Sequence, residues 1–144
     1  MRQGIAEYLK RLTTLARLSI VELPDEKLPE RHVPAELARV KELEGRRLLQ
    51  AVREQEYVIA LDIAGQQFSS RQFAAMLAQL ALSGQSSITF LIGASSGLSE
   101  EALHRADLRL SCGALTFPHQ LMRLILLEQI YRACKINKGE PYHK

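Results

Sequence analysis

The first third of the chain alternates between helical and extended hydrophobic patterns. Ile5, Leu9 and Leu12 are spaced so that they share one face of a helix. The following stretch, residues 18–23, alternates apolar and polar positions and therefore predicts a strand, which Pro24 ends. We expect a helix followed by a strand in this part of the chain.

A charged region follows this predicted strand. Residues 24–34 carry charges and three prolines, which is typical of a surface loop. From about Ala35 to Arg53 the pattern predicts a long helix with a solvated charged face and one apolar stripe, formed by Leu37, Val40, Leu43, Leu48 and Val52.

Three later segments predict strands of a sheet, residues 57–63, 87–92 and 108–112. The first is continuously apolar until Asp62 and rich in β-branched residues, which is typical of a strand that is covered on both faces. Ala64-Gly65 is predicted to be the turn that follows the first of them.

Helical segments separate and follow these strands. One is predicted to begin at Ser69 or Ser70 and to continue to about Leu82, with Phe73, Leu77 and Leu80 facing inward. A short one begins at Ser99, and the last covers about His119 to Lys135. The alternation predicts an α/β fold, a mainly parallel sheet with helices on both faces, in a single domain over residues 1–144.

Composition narrows the class of protein. With 144 residues, 47% hydrophobic and 24% charged, the chain is typical of a folded domain. It has no apolar run long enough for a membrane span and no apolar signal core, so we expect a cytoplasmic protein without membrane association. Cys112 and Cys134 are too few for a disulfide framework or a zinc site, so we expect both to be buried and no metal to be bound.

Net charge alone says little about partners, because +3 is common among folded proteins. The distribution is more informative. From Gly113 onward there are five basic and two acidic residues, with His119 and His143 among them. A basic C-terminal end favours a phosphate-bearing partner.

Small residues follow each predicted buried strand. In open α/β sheets, ligands bind at the carboxyl ends of the strands, which here are followed by residues 61–65, 93–97 and 111–117. Their glycines match neither a P-loop nor the dinucleotide fingerprint. The loops at 93–97 and 111–117, taken alone, are equally well explained as ordinary turns between a strand and a helix.

The last helix is apolar around much of its circumference and therefore needs cover on more than one side, from its own sheet and from a second subunit. Arg123 and Arg132 lie about half a turn apart on the helical wheel. One monomer would struggle to use both arginines in one site, whereas a site shared in a dimer would not. Singly, these arginines are more often salt-bridge partners, and His119 is more often a structural histidine.

The tail Pro141-Tyr142-His143-Lys144 is of a kind that normally frays. It nevertheless places an aromatic ring, an imidazole and a cation side by side, a combination suited to stacking on a base and holding phosphate.

Four motifs in this order resemble one known family. They are FLIGASSGL at 90–98, LTFPHQLMR at 115–123, EQIYRA at 128–133 and PYHK at 141–144. Residues 4–12 and 22–27 fit as well, so the resemblance covers nearly the whole chain. The motifs resemble the RlmH family of bacterial methyltransferases, which belongs to the SPOUT class.

This resemblance implies a fold with a trefoil knot near the C-terminus, a rare exception to unknotted topology. It implies a homodimer that binds S-adenosylmethionine in a bent shape. The implied reaction is methylation of N3 of a pseudouridine in 23S ribosomal RNA, on the assembled ribosome.

The family's functional residues carry over by position. The implied cofactor contacts are Leu61, Gly93, Cys112, Gly113, Ala114, Leu115, Thr116 and Phe117. The implied catalytic residues are His119, Arg132, Tyr142 and His143, and the implied RNA-binding residues are Arg123, Arg132, Tyr142 and Lys144. Either histidine can take the proton from N3, and an arginine can stabilise the developing negative charge.

The sequence departs from the family's pattern in two places. Family members begin with an apolar strand and a glycine turn, whereas this chain starts almost at the first helix, so we expect that first strand to be absent. Ala94 stands where the family tends to have a second glycine, and its methyl group would restrict a backbone that needs a positive φ.

Two other hypotheses remain beside the methyltransferase. The first is a catalytically silent, knotted module that binds RNA or the ribosome, and S-adenosylmethionine affinity distinguishes it from the enzyme. The second is a flavodoxin-like nucleotide or signalling domain, which predicts no cofactor at residues 111–117 and gives no reason for the basic aromatic tail.

Overall fold

A computed structural model describes residues 1–27, 30, 33–94 and 97–142 of the chain. In the described part the elements are, in order, α1 (Arg2–Leu12), α2 (Pro34–Gln50), β1 (Tyr57–Gln67), α3 (Ser70–Leu82), β2 (Ile88–Leu91), α4 (Glu100–Arg105), β3 (Leu108–Ser111) and α5 (His119–Asn137).

The contacts divide the chain into two units. The helical unit comprises Met1–Val21, Phe68–Ser86 and Phe117–Lys144, and it holds α1, α3 and α5. The sheet unit comprises Glu22–Gln67 and Ser87–Thr116. The prediction of a single domain over 1–144 stays a prediction, as does the absence of the family's first strand.

The sheet unit contains three parallel strands in the order β2-β1-β3. Tyr57 pairs with Ile88 and Ala60 with Leu91 on one side of β1, while Ile59 pairs with Leu108 on the other. The predicted α/β class and parallel sheet are confirmed. Val58, Ile59 and Ala60 are fully buried, as their uninterrupted apolar run predicted.

The first strand is longer than the sequence suggested. Ala64-Gly65 does not end β1, which continues to Gln67 after a shift in register between Leu61 and Gln66. The predicted turn is wrong, because the chain returns to β3 after an irregular segment and pairs Gln67 with Ser111.

The strand predicted at residues 18–23 is also wrong, since the structure has no regular element there. Ile20 and Val21 are exposed. Alternation describes a half-buried strand only where a neighbouring strand pairs with it, and this segment has no ladder hydrogen bonds.

Two helices begin where their serines predicted. Ser69 and Gln72 form a reciprocal capping box at the start of α3, with N–H···O distances of 3.1 and 2.8 Å. Ser99 accepts a hydrogen bond from the Ala102 N–H at 3.1 Å and so caps α4. Glu100 and Glu101 occupy the first turn, where the helix dipole favours a negative charge.

The core of the sheet unit lies between one face of the sheet and helices α2 and α4. Its buried residues are Val58, Ala60, Leu91, Leu98 and Ala102, with partly buried Leu48, Leu49, Val52, Leu103 and Ala106 packed against them. Helix α2 approaches α4 so closely that a Cβ on Gly45 would lie 2.0 Å from Ser99 Oγ. Glycine is therefore required at this crossing.

Arg105 and Asp107 form hydrogen bonds at the amino ends of β1 and β3. One Arg105 nitrogen donates to the carbonyls of Arg53, Glu54 and Glu56 at 3.1, 3.2 and 3.0 Å. Asp107 accepts from Arg105 at 3.3 Å and from the Val58 N–H at 2.8 Å. This network lies at the opposite edge of the sheet from the loops that were predicted to bind a ligand.

In the helical unit, α5 packs against both α1 and α3. Its buried residues are Leu126, Leu127, Ile130 and Ala133. Ser70 Oγ donates to Gln129 Oε1 at 2.8 Å, and Asn137 Nδ2 donates to the Ala74 carbonyl at 3.0 Å, so polar contacts align α3 with α5. Among the described residues, no helix combines the length and apolar character that a membrane crossing requires.

Candidate functional site

The three segments that the resemblance assigned to the cofactor lie in or directly after adjacent strands of one sheet. Ala60 of β1 pairs with Leu91 of β2, and Leu61 pairs with Leu110 of β3. Gly93 lies two residues beyond Leu91, and Cys112 lies two residues beyond Leu110. The structure thus brings Leu61, Gly93 and Cys112 to the same carboxyl edge.

The turn after β2 depends on the absence of a side chain at Gly93. A Cβ there would lie 2.7 Å from the Gly97 carbonyl carbon and 2.9 Å from the Leu98 nitrogen. The Gly97 N–H donates to the Ala94 carbonyl at 2.9 Å, and Gly97 takes a positive φ of 80°. No described residue other than glycine has a positive φ, so Ala94 is accommodated without strain.

The turn after β3 is organised by a buried serine. Ser111 Oγ accepts from the Gly113 N–H at 3.1 Å and donates to the Gly113 carbonyl at 3.3 Å. Gly113 has a φ of 113°, a conformation that L side chains rarely adopt. The rest of the loop, Ala114, Leu115 and Thr116, is exposed, and Leu115 is 74% accessible.

The irregular part of β1 completes this edge. Asp62 Oδ1 accepts from the Ala64 N–H at 3.2 Å, and Ile63 is exposed. A Cβ on Gly65 would lie 2.7 Å from the Arg109 carbonyl, so this backbone approaches β3 closely. Each of the three segments contains a glycine, Gly65, Gly93 or Gly113, at which the backbone can approach a ligand closely.

The two cysteines are not both buried as predicted. Cys112 is exposed and Cys134 is half-buried, because Cys112 lies just beyond the last paired residue of β3. Partial desolvation still raises the pKa of the Cys112 thiol above its ordinary value. The thiol is therefore protonated at neutral pH and is a poor nucleophile.

A second group of predicted residues meets in the helical unit. Arg132 Nε donates to Glu128 Oε1 at 3.0 Å, and the Tyr142 hydroxyl donates to the same oxygen at 3.2 Å. The Arg132 guanidinium lies over the Tyr142 ring, 4.9 Å from its centroid. The Tyr142 and Tyr8 hydroxyl oxygens are 3.2 Å apart. We call Tyr8, Glu128, Tyr131, Arg132 and Tyr142 the tail cluster.

Tyr131 lies at the centre of this cluster. Its ring is perpendicular to that of Tyr142, with centroids 4.9 Å apart, and makes an edge contact with Tyr8 at 5.8 Å. Arg11 and Lys135 lie 5.7 and 5.5 Å from the Tyr131 centroid. Both cations are also paired, Arg11 with Glu7 and Lys135 with Glu140.

The remaining predicted residues lie elsewhere on the helical unit or beyond the described residues. Phe117 and His119 are half-buried, and His119 is the first residue of α5. Arg123 is half-buried and nine residues before Arg132, so the two arginines project from opposite sides of the helix. His143 and Lys144 lie outside the described residues.

Sequence reasoning missed three residues that organise these groups: Ser111, Glu128 and Tyr8. The serine two residues before a glycine is a recognisable turn signal, and Glu128 is four residues before Arg132, the spacing of a helical ion pair. No local signal links Tyr8 to Tyr142, because 134 residues separate them. In the described ranges there is no group of three His, Cys, Asp or Glu residues arranged to hold a metal ion.

Comparison with known proteins gives a full-length match. Residues 1–143 match a family described as "Predicted SPOUT methyltransferase". The chain is 56% identical over 144 residues to "Ribosomal RNA large subunit methyltransferase H" of Carboxydothermus hydrogenoformans, covering 100% of this chain and 91% of that protein.

Proteins with the same name from two other bacteria have comparable identities to this chain. The Enterococcus faecalis protein is 54% identical and the Listeria monocytogenes protein 57% identical, each over 142 residues. Both matches cover 99% of this chain and 89% of the relative. The resemblance carried by the four motifs is confirmed, and the chain belongs to the RlmH family of SPOUT methyltransferases.

Proposed function

We propose that this protein methylates N3 of a pseudouridine in 23S ribosomal RNA, on the assembled ribosome, with S-adenosylmethionine as the methyl donor. The observation that carries the proposal is the similarity, over the whole chain, to relatives named ribosomal RNA large subunit methyltransferase H. We also propose a cytoplasmic location, because the proposed substrate is the ribosome.

The carboxyl edge of the sheet is the proposed cofactor site. When bound, S-adenosylmethionine supplies an electrophilic methyl group on its sulfonium. Leu61, Gly93 and residues 112–117 would hold it, and the turns at Gly93 and Gly113, which require glycine, support this assignment because a backbone without side chains can approach a ligand closely. The fixed geometry of these turns would position the methyl donor for transfer, and positioning is the main requirement of this reaction because the methyl group is already electrophilic.

The residues proposed for RNA binding and catalysis are Arg123, Arg132, Tyr142 and His119, with His143 and Lys144 beyond the described residues. The target N3–H must lose its proton as the new bond forms, so either histidine is a candidate base. An arginine beside the base would stabilise its developing negative charge. The contact between Arg132 and the Tyr142 ring supports treating these two residues as one unit.

We further propose a homodimer and a trefoil knot near the C-terminus, as in the SPOUT class. The placement of Arg123 and Arg132 on opposite sides of α5 supports a dimer, since two subunits can bring one arginine each to a shared site.

The proposal is tested by measuring cofactor affinity and ribosome methylation for Gly93→Val. The valine side chain would meet the backbone of Gly97 and Leu98, so the turn must move. We expect S-adenosylmethionine affinity to fall at least about tenfold, equivalent to ~1.4 kcal/mol, with a parallel loss of methylation.

The control is Gly84→Asn, at an exposed turn of φ 90° with open space around it, since asparagine tolerates such a backbone. Unchanged calorimetric affinity in Gly93→Val would refute the cofactor site. If the wild-type protein binds ribosomes but neither binds S-adenosylmethionine nor methylates them, it is instead a silent RNA-binding module.

A further inference from the structure

The tail cluster is built around one carboxylate oxygen. Glu128 Oε1 accepts hydrogen bonds from Arg132 Nε at 3.0 Å and from the Tyr142 hydroxyl at 3.2 Å. A terminal nitrogen of Arg132 also donates to this oxygen. A single acceptor therefore contacts both Arg132 and Tyr142, two of the side chains that we propose to bind RNA.

The ion pair between Glu128 and Arg132 is largely buried. The Glu128 and Arg132 side chains are 20% and 24% exposed, so solvent screens their interaction much less than that of a surface pair. The two residues are one helical turn apart on α5, a rigid element, whereas Tyr142 lies in the segment after the helix. The contact thus ties the tail to the helix.

The Tyr8 hydroxyl makes a further contact with Tyr142. The Tyr8 hydroxyl, on α1, is 3.2 Å from that of Tyr142, and Tyr131 packs edge-on against both rings. Tyr142 is consequently held at its hydroxyl by Glu128 and Tyr8, and at its ring by Tyr131 and Arg132.

A carboxylate is an unexpected neighbour for groups that meet RNA, because it repels phosphate. Glu128 can nevertheless favour RNA binding, because it holds the tail and Arg132 in place before RNA binds. A tail that is already ordered loses less conformational entropy when RNA binds, and an arginine held in one orientation needs no rearrangement.

We propose that Glu128, assisted by the Tyr8 hydroxyl, is a positioning residue that orients Arg132 and Tyr142 for the ribosomal RNA substrate. This inference rests on the RNA-binding role proposed for that pair. Glu128 acts through these two side chains and contacts neither the cofactor nor the reacting base.

Three variants separate the contributions of the two residues. Glu128→Gln keeps an acceptor but removes the charge, Glu128→Ala removes both, and Tyr8→Phe removes only the hydroxyl. We expect the apparent KM for ribosomes to rise most in Glu128→Ala, by about tenfold, less in Glu128→Gln and least in Tyr8→Phe. S-Adenosylmethionine affinity should stay unchanged in all three.

The matched control is Glu140→Gln. This carboxylate lies two residues from Tyr142 but is exposed and pairs with Lys135, so its loss should leave the ribosome KM unchanged. A rise in KM equal to that of Glu128→Gln would show a general effect of charge, and would overturn the inference.

A spectroscopic measurement tests the geometry without any activity assay. The chain has four tyrosines and no tryptophan, so phenol ionisation can be followed by ultraviolet absorbance. Burial, the Tyr8 hydroxyl and the Glu128 charge all raise the pKa of Tyr142. We expect Glu128→Gln to lower that pKa toward its ordinary value, and Tyr142→Phe identifies the titration step.

The outcomes distinguish this inference from the proposed function. If Arg132→Ala and Tyr142→Ala leave ribosome methylation intact, the RNA role of the pair fails and the inference fails with it. If those variants lose methylation while Glu128→Ala keeps the wild-type KM for ribosomes, or Glu128→Gln leaves the Tyr142 pKa as high as in the wild-type protein, only the positioning role of Glu128 is overturned.

Discussion

Ser111 and Gly113 are joined by two hydrogen bonds, in which the Ser111 hydroxyl accepts from the Gly113 N–H at 3.1 Å and donates to its carbonyl at 3.3 Å. Ser111 is 5% exposed, and Gly113 has a φ of 113°. The pair sets the direction in which the chain leaves β3, and hence the shape of residues 112–116.

Ser111→Ala should therefore loosen the proposed cofactor loop. The variant loses both hydrogen bonds to Gly113, worth about 1 kcal/mol each, and we expect part of that loss to appear in binding. This predicts a five- to tenfold lower S-adenosylmethionine affinity, which is about 1–1.4 kcal/mol. Calorimetric titration measures it. Ser83→Ala is the control, because that exposed hydroxyl only donates to the Leu80 carbonyl at the end of α3. Equal affinity in both variants would contradict the prediction.

The crossing of α2 and α4 predicts that alanine substitutions at two glycines, Gly45 and Gly4, have different effects on the stability of the protein. Gly45→Ala would place a Cβ 2.0 Å from Ser99 Oγ, a buried cap that also accepts from the Ala102 N–H, so we expect destabilisation of about 1–3 kcal/mol despite the better helix propensity of alanine.

The matched variant is Gly4→Ala in α1, whose new Cβ would meet only the flexible end of Leu124 at 3.2 Å. We expect its free energy of unfolding, measured with urea, to be unchanged or higher. A Gly45→Ala protein as stable as Gly4→Ala would show that the two helices separate at little cost.

Replacing Arg105 should also lower the stability of the protein. Arg105→Ala removes the donor for three carbonyls at the amino end of β1 and leaves Asp107 without its cation, so we expect the free energy of unfolding to fall by about 2 kcal/mol. Arg46→Ala is the comparison, since Arg46 is 63% exposed and 4.0 Å from Glu101. That change should alter stability by less than about 0.5 kcal/mol. Similar losses in the two variants would count against the bridging role of Arg105.

A shared site in the proposed homodimer predicts complementation between damaged subunits. Mixing Arg123→Ala with His143→Ala subunits should restore part of the ribosome methylation that each variant lacks, because one of the two sites in a mixed dimer keeps both groups. Methylation is measured on mixtures whose hetero-association is shown by mass spectrometry of tagged subunits. Absence of recovery in proven mixed dimers would argue for a site within one subunit.

Much of the fold could be predicted from local sequence. The capping box of Ser69 and Gln72, the cap at Ser99 and the apolar run before Asp62 each act within a few residues, and the corresponding helices and strand formed as expected. The candidate cofactor residues Leu61, Gly93 and Cys112 were likewise predicted to lie at one edge of the sheet. Leu61 lies within β1, and Gly93 and Cys112 follow its two neighbouring strands.

Other features could not be predicted because they depend on distant partners. The alternation at 18–23 formed no strand, since nothing in the pattern supplies a neighbour to pair with. The continuation of β1 past Gly65 depends on its close approach to Arg109, and the exposure of Cys112 depends on where pairing with β3 ends.

By itself, the sequence determined the periodicities, caps and small-residue turns, because these are set by the conformational preferences of residues within one or two helical turns of each other. Tertiary structure decided which side chains share a contact: Tyr8 with Tyr142, Glu128 with the tail, and Gly45 with Ser99. Such contacts arise when packing of the core brings together segments far apart in the chain, and their geometry is absent from any local pattern.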